Sequence, residues 1–163
     1  MERIRREIEK IDIASLIADM IKIPSYSFME EQEKEIAFYI KDFFDKEGIP
    51  CTVTEIAEGR YNVSAVLKGS GGGKSLMLTG HMDTVPAYDM EEPFSGRIED
   101  GRIFGRGACD MKGPLASMMA AMAAFKRSGV QLRGDLHFVG VADEEEKGIG
   151  TAYLITALQP TAS

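Results

Sequence analysis

Three short stretches carry side chains that could do metal chemistry. In GHMDTVP, Gly80–Pro86, His81 and Asp83 stand two apart after an apolar run. In a strand, that spacing puts both side chains on one face. A histidine ligand normally has its second ring nitrogen held by a carboxylate or carbonyl, which Asp83 can supply. In GRGACDMKG, Gly105–Gly113, Asp110 sits in a glycine-flanked loop ahead of a helix. A carboxylate fixed there can be shared by two cations, and two-metal sites need such a bridge with the metals roughly 3.5–4 Å apart. In VADEEEKG, Val141–Gly148, a run of acids follows another apolar stretch. One glutamate there can bind a cation while its neighbour stays free as a general base.

Each stretch also has a plainer reading. A DEEE run is commonly a solvated turn, His-x-Asp a polar strand end, and an aspartate before a helix a partner for the helix dipole. Taken together they point elsewhere. His, Asp and Glu are the ligand types for zinc with oxygen donors. All three stretches are expected along one edge of one sheet, an arrangement that independent surface turns have no reason to share.

The elements that must position them follow from periodicity. One amphipathic helix is expected at the start, with Ile4, Ile8, Ile11, Leu16 and Ile17 on a broad face, ended before Pro24. A second is expected from about Met29 to Glu47, stopped by Gly48. Strands are expected over Cys51–Ile56, Asn62–Leu67, Ser75–Gly80 and Asp135–Ala142, with a small hairpin turning at Asp100-Gly101. Pro114–Arg127 reads as a helix with proline at its first position and Gly129 beyond its end, and a last helix begins near Gly150. Helices alternating with apolar strands predict an α/β fold: a mixed, largely parallel sheet flanked by helices. In such folds functional groups gather past the carboxyl ends of strands.

The remaining features exclude more than they assign. KGSGGGKS, Lys68–Ser75, has Lys68 where a phosphate loop needs its first glycine, and a strand rather than a helix follows. A hairpin turn is the expectation. The net charge of −7 argues against a nucleic-acid partner. No apolar run spans a bilayer, and the charged start lacks a signal-peptide core, so a cytoplasmic protein is expected. The two cysteines, Cys51 and Cys109, are too few for a disulfide scaffold.

GHMDTVP, GRGACDMKG and ADEEEKGIGT, in this order and at these separations, resemble the dinuclear zinc amidohydrolase and exopeptidase family, which includes acetylornithine deacetylase, succinyl-diaminopimelate desuccinylase, aminoacylase and glutamate carboxypeptidase. IPSYS and PFSGRIEDGRIFGRGA fit the same pattern. The resemblance runs from about residue 10 to 155 and covers the family's N-terminal portion. It implies a zinc-exopeptidase-like catalytic domain in which His81 ligates one metal, Asp83 orients it, and Asp110 bridges the two metals. Glu144 matches the general base and Glu145 a ligand of the second metal. Asp143 then shapes the turn and Glu146 is a solvated bystander. A cis peptide bond at Asp110-Met111 and a packing role for Cys109 are further expectations. The implied reaction is hydrolysis of an amide bond in an N-acyl amino acid or small peptide, with two Zn²⁺, or Co²⁺ in their place.

The chain departs from the family pattern at its end. An acidic ligand and a C-terminal histidine are expected of such enzymes, and neither is evident. LQPTAS, Leu158–Ser163, has Gln159 where the family's acidic ligand would stand. His137 lies inside a strand and is expected to be structural. Residues 1–163 therefore read as the N-terminal part of a metallohydrolase catalytic domain, without its C-terminal half or its dimerisation or lid domain. A homodimer is implied for a full-length parent, and the fragment alone is expected to be inactive. The alternative is a non-catalytic α/β remnant or binding module that keeps the metal motifs.

Overall fold

Asp12 divides the N-terminal segment in two. Its carboxylate accepts the backbone N–H of Ser15 at 3.0 Å and the Ser15 hydroxyl at 2.7 Å, which caps a new helix. In the computed structural model, which describes residues 2–26 and 28–158, the single helix expected there is two: α1, Glu2–Ile8, and α2, Ile13–Ile21. The next helix, α3, spans Lys34–Lys46 and starts later than its apolar spacing suggested. Phe28 and Glu31 adopt left-handed backbone angles, φ 76° and 51°, that no α-helix accommodates.

Among the described residues, six strands follow the expected order: β1, Cys51–Ala57; β2, Arg60–Leu67; β3, Leu76–His81; β4, Arg97–Glu99; β5, Arg102–Phe104; and β6, Leu136–Val141. Helices α4, Gly113–Ser128, and α5, Ile149–Leu158, flank β6 in sequence. β4 and β5 form the small hairpin, with Asp100 and Gly101 at φ 50° and 72° in its turn.

The main sheet has the order β1-β2-β6-β3. It is mixed and flanked by helices, as expected, but it is not largely parallel among the described residues. β1–β2 and β2–β6 are antiparallel and only β3–β6 is parallel. Connection length decides two of these pairs: only Glu58 and Gly59 join β1 to β2, far short of the dozen or more residues that a parallel crossover needs, whereas the β3-to-β6 connection contains α4 and is long enough. The Gly-rich turn is likewise not a hairpin between paired strands. β6 inserts between β2 and β3, and the turn is tied to the segment before β6 through Ser70 N–H to the Leu132 carbonyl at 2.8 Å.

The core lies between this sheet and α2, α3 and α4. Phe44 of α3 and Phe138 of β6 are fully buried with ring centroids 5.1 Å apart. Leu115, Met119 and Met122 fill the α4 side, and Ala116, Ala120 and Ala123 let that helix approach closely. α4 begins with Pro114 in its first turn and ends at Gly129 in the left-handed conformation, as its sequence requires. Among the described residues, no helix is long and apolar enough to cross a membrane.

Candidate metal centre

His81 is the last residue of β3 and pairs in parallel register with Val141, the last residue of β6. The two strands end level, so the residues that follow them meet. The imidazole is buried. Its Nδ1 donates to the backbone carbonyl of Asp83 at 2.9 Å, and the Asp83 carboxylate lies 3.6 Å away. That bond commits the Nδ1 proton and turns Nε2 outward, 3.0 Å from Asp110 Oδ1 and 3.8 Å from Glu144 Oε2. Burial works against a charged imidazole, but the Asp83 carboxylate and carbonyl, with Asp110, outweigh it and raise the pKa to about 9.

Asp83 is fully buried and does more than face the histidine. One carboxylate oxygen accepts the backbone N–H of Glu144 at 3.1 Å and the other that of Glu145 at 3.0 Å. Burial alone would raise its pKa. The His81 hydrogen bond and the two amides win, and the group is held below the usual carboxylate range.

Asp110 comes from the loop between β5 and α4. Gly107 turns there at φ 82°, where a Cβ would sit 2.8 Å from the Thr84 methyl carbon. The Asp110-Met111 peptide is cis, as the resemblance implies. The loop is anchored by a residue that the sequence does not single out. Lys112 is fully buried, and its ammonium donates to the carbonyls of Met20 at 3.1 Å and Ile23 at 2.6 Å, at the end of α2. Burial lowers its pKa to about 7. In sequence it is one lysine among many, and only the fold shows that it points inward.

The VADEEEKG turn is sorted by its contacts. Asp143 adopts φ 62°, is buried, and accepts Gly148 N–H on its carbonyl at 2.5 Å, so it shapes the turn. Glu144 is exposed beside His81, Glu145 is half-buried, and Glu146 points to solvent. Burial raises the Glu145 carboxyl; His81 opposes this, and the neighbouring carboxylates of Asp110, Asp83 and Glu144 add to it. Asn62 of β2 closes the turn from behind. Its amide donates to the Gly150 carbonyl at 3.0 Å and accepts Ala142 N–H at 2.9 Å.

Donor atoms of His81, Asp110 and Glu145 thus lie within 4.8 Å of one another. Asp83 and Glu144 border the same group. Cys109 is exposed, so it is not the packing residue expected of it. His137 sits near the opposite end of β6, 3.9 Å from Asp135 and apart from the cluster. Gln159 and the residues after it lie outside the described residues. A cavity of about 620 Å³ lies at the far end of the sheet, beside Gly72 and Gly73, away from this cluster.

A family model described as peptidase family M20/M25/M40 matches residues 77–162. The chain is 33% identical over 147 residues to a probable succinyl-diaminopimelate desuccinylase of Staphylococcus epidermidis, covering 88% of this chain and 35% of that one. Its fold matches the di-peptidase Dug1p of Saccharomyces cerevisiae with a TM-score of 0.81 at 21% identity, over 96% of this chain and 37% of that one. It also matches YXEP of Bacillus subtilis, a dinuclear metal binding peptidase, with a TM-score of 0.60 at 19% identity, over 86% and 37%. The chain spans about a third of the length of the curated relatives it matches. The family match covers more than half of the sequence and takes in β3, the Asp110 loop and the turn after β6, so the chain belongs to peptidase family M20/M25/M40.

Proposed function

We propose that this chain carries part of the active site of a metal-dependent amide hydrolase. His81, Asp110 and Glu145 are the cation ligands, Glu144 is the general base, and Asp83 orients His81. The observation that carries this reading is the convergence of the three donor side chains within 4.8 Å, beside the exposed Glu144 carboxylate.

The residues fit a divalent cation. The bond from Nδ1 to the Asp83 carbonyl leaves Nε2 to ligate, and the other donors are carboxylate oxygens of the kind zinc accepts. Two cations are proposed, Zn²⁺ with Co²⁺ as a substitute, sharing Asp110. Bound there, they would supply a water of lowered pKa and a polarised amide carbonyl. Glu144 accepts a proton from a water in the site and returns it to the departing amine. Asp83 meanwhile keeps the imidazole in one tautomer and pins the Glu144 and Glu145 amides.

The proposed substrate is an N-acyl amino acid or small peptide. The desuccinylase and di-peptidase likenesses favour it, as does a cavity of about 330 Å³ beside Asp110 that is lined by Met90, Ile103, Phe104 and Cys109. Residues 1–163 are proposed to be the N-terminal part of the catalytic domain. Among the described residues each proposed cation finds two protein ligands, whereas catalytic zinc normally has three. The chain alone is therefore expected to bind cations weakly and to hydrolyse little.

The test is a Co²⁺ titration followed by visible absorption, with a hydrolysis screen over N-acyl amino acids and dipeptides in any longer polypeptide that carries this sequence. Weak Co²⁺ binding lost in His81→Ala, and cation-dependent turnover lost in Glu144→Gln, are expected. Turnover that persists in Glu144→Gln, or without cations, overturns the reading.

A further inference from the structure

Behind the acidic turn lies an ion-pair relay that reaches no ligand and no cavity wall of the site. Arg60 opens β2. Its Nε donates to Glu33 Oε2 at 2.8 Å and its terminal nitrogen to Glu33 Oε1 at 2.5 Å, a two-point clamp. The same nitrogen lies 3.0 Å from Asp143 Oδ1. Glu33 is fully buried and Asp143 nearly so, at 2% exposure. One guanidinium thus serves two buried carboxylates, one ahead of α3 and the other at the left-handed corner of the turn. Two carboxylates around one cation is a costly arrangement, and a buried ion pair is often no more stabilising than apolar side chains of similar volume.

The placement of Asp143 gives the arrangement a purpose. Its other carboxylate oxygen accepts Ile149 N–H at 3.4 Å, and its backbone conformation sets where the next two residues point. Asp83 holds the Glu144 and Glu145 amides from the front. Arg60 holds the corner from the back. The geometry points to Arg60 as a positioning residue for the general base Glu144 and the ligand Glu145, acting through Asp143, with Glu33 fixing the guanidinium that does so. The roles named for Glu144 and Glu145 rest on the function proposed above; the holding of their backbone does not.

Arg60→Met leaves two buried carboxylates unpaired and is expected to lower the unfolding midpoint. Arg60→Met with Glu33→Gln removes one of those charges and is expected to recover most of that midpoint. A merely structural Arg60 would then leave the turn intact. A positioning Arg60 would not: in the double variant, hydrogen-exchange protection of the Glu144 and Glu145 amides should stay about tenfold below that of the parent chain while core amides regain theirs. Co²⁺ affinity should stay down by about 10–100-fold, the usual effect of losing a group that orients a metal ligand. Recovery of the two amides together with the midpoint overturns the assignment. A parent chain that takes up no Co²⁺ while the amides behave as expected overturns the metal reading and upholds the part assigned to Arg60.

Discussion

Asp83 shows how one residue, through its backbone carbonyl and its side chain, can organise a site without projecting into it. Its carbonyl sets the tautomer of His81, and its carboxylate gathers the next two glutamates by their amides. The same contacts set a pH dependence. The His81 pKa rises from 6.5 to about 9 in the folded, cation-free chain. A raised value means that the folded state binds the proton more tightly than the unfolded one. The stabilisation is therefore complete below about 6.5 and is lost as pH climbs through about 9. Lys112, lowered to about 7 by burial, acts in the opposite sense over much of this range, so the His81 part is read as a difference: the urea midpoint of the cation-free chain minus that of His81→Gln should fall across this window. An unchanged slope in His81→Gln would show that other groups set it.

At the scale of elements, much was legible because local chemistry and tertiary demand agree. The Asp100-Gly101 turn, the proline and glycine bounding α4, and the motifs ending β3 and following β6 all stand where their residues put them. Other features were not legible, for physical reasons. Asp12 reads as one more polar residue on an apolar helix until its side chain is seen capping Ser15. The share of parallel pairing depends on which strand inserts between β2 and β3, and strand composition carries no record of neighbours. The cluster of His81, Asp110 and Glu145 was visible as residue types at strand ends and in a glycine-flanked loop, yet Lys112, Asn62 and the Arg60–Glu33 pair were not. A buried lysine or arginine looks like a surface one until its partners are known. Gly150 belongs with these. A methyl there would lie 2.4 Å from the Ala142 nitrogen and 2.5 Å from its carbonyl oxygen. Gly150→Ala should cost about 1–3 kcal/mol by overpacking, read from urea unfolding, and should also loosen the bond from Asn62 that closes the acidic turn. A cost within a few tenths of a kcal/mol would mean that α5 shifts freely.

At the scale of the whole molecule, one helix is out of balance. α5 is apolar along nearly all of its length, yet among its described residues only Gly150 is buried. Tyr153, Ile155 and Leu158 are 44%, 56% and 60% exposed. β3 adds Leu76, 58% exposed, at the edge of the sheet. An apolar helix normally packs against a cover, and an unpaired apolar edge recruits other chains. The isolated chain should therefore associate as its concentration rises, detected by sedimentation velocity, and Ile155→Lys with Leu158→Lys should reduce the association. Association unaffected by that pair would place the sticky surface elsewhere.

The level ends of β3 and β6 have a consequence for how the site comes into being. These strands form the parallel pair of the described sheet, and the whole α4 crossover separates them in sequence. Contacts so distant along the chain close slowly in folding, because the loop entropy is lost before the contact forms. The histidine and the glutamates cannot meet in any locally structured intermediate, so cation capture reports on completed topology. A refolding chain should regain helical signal well before it can take up a cation, and a chain with β6 misregistered by one residue would have the helices but no site.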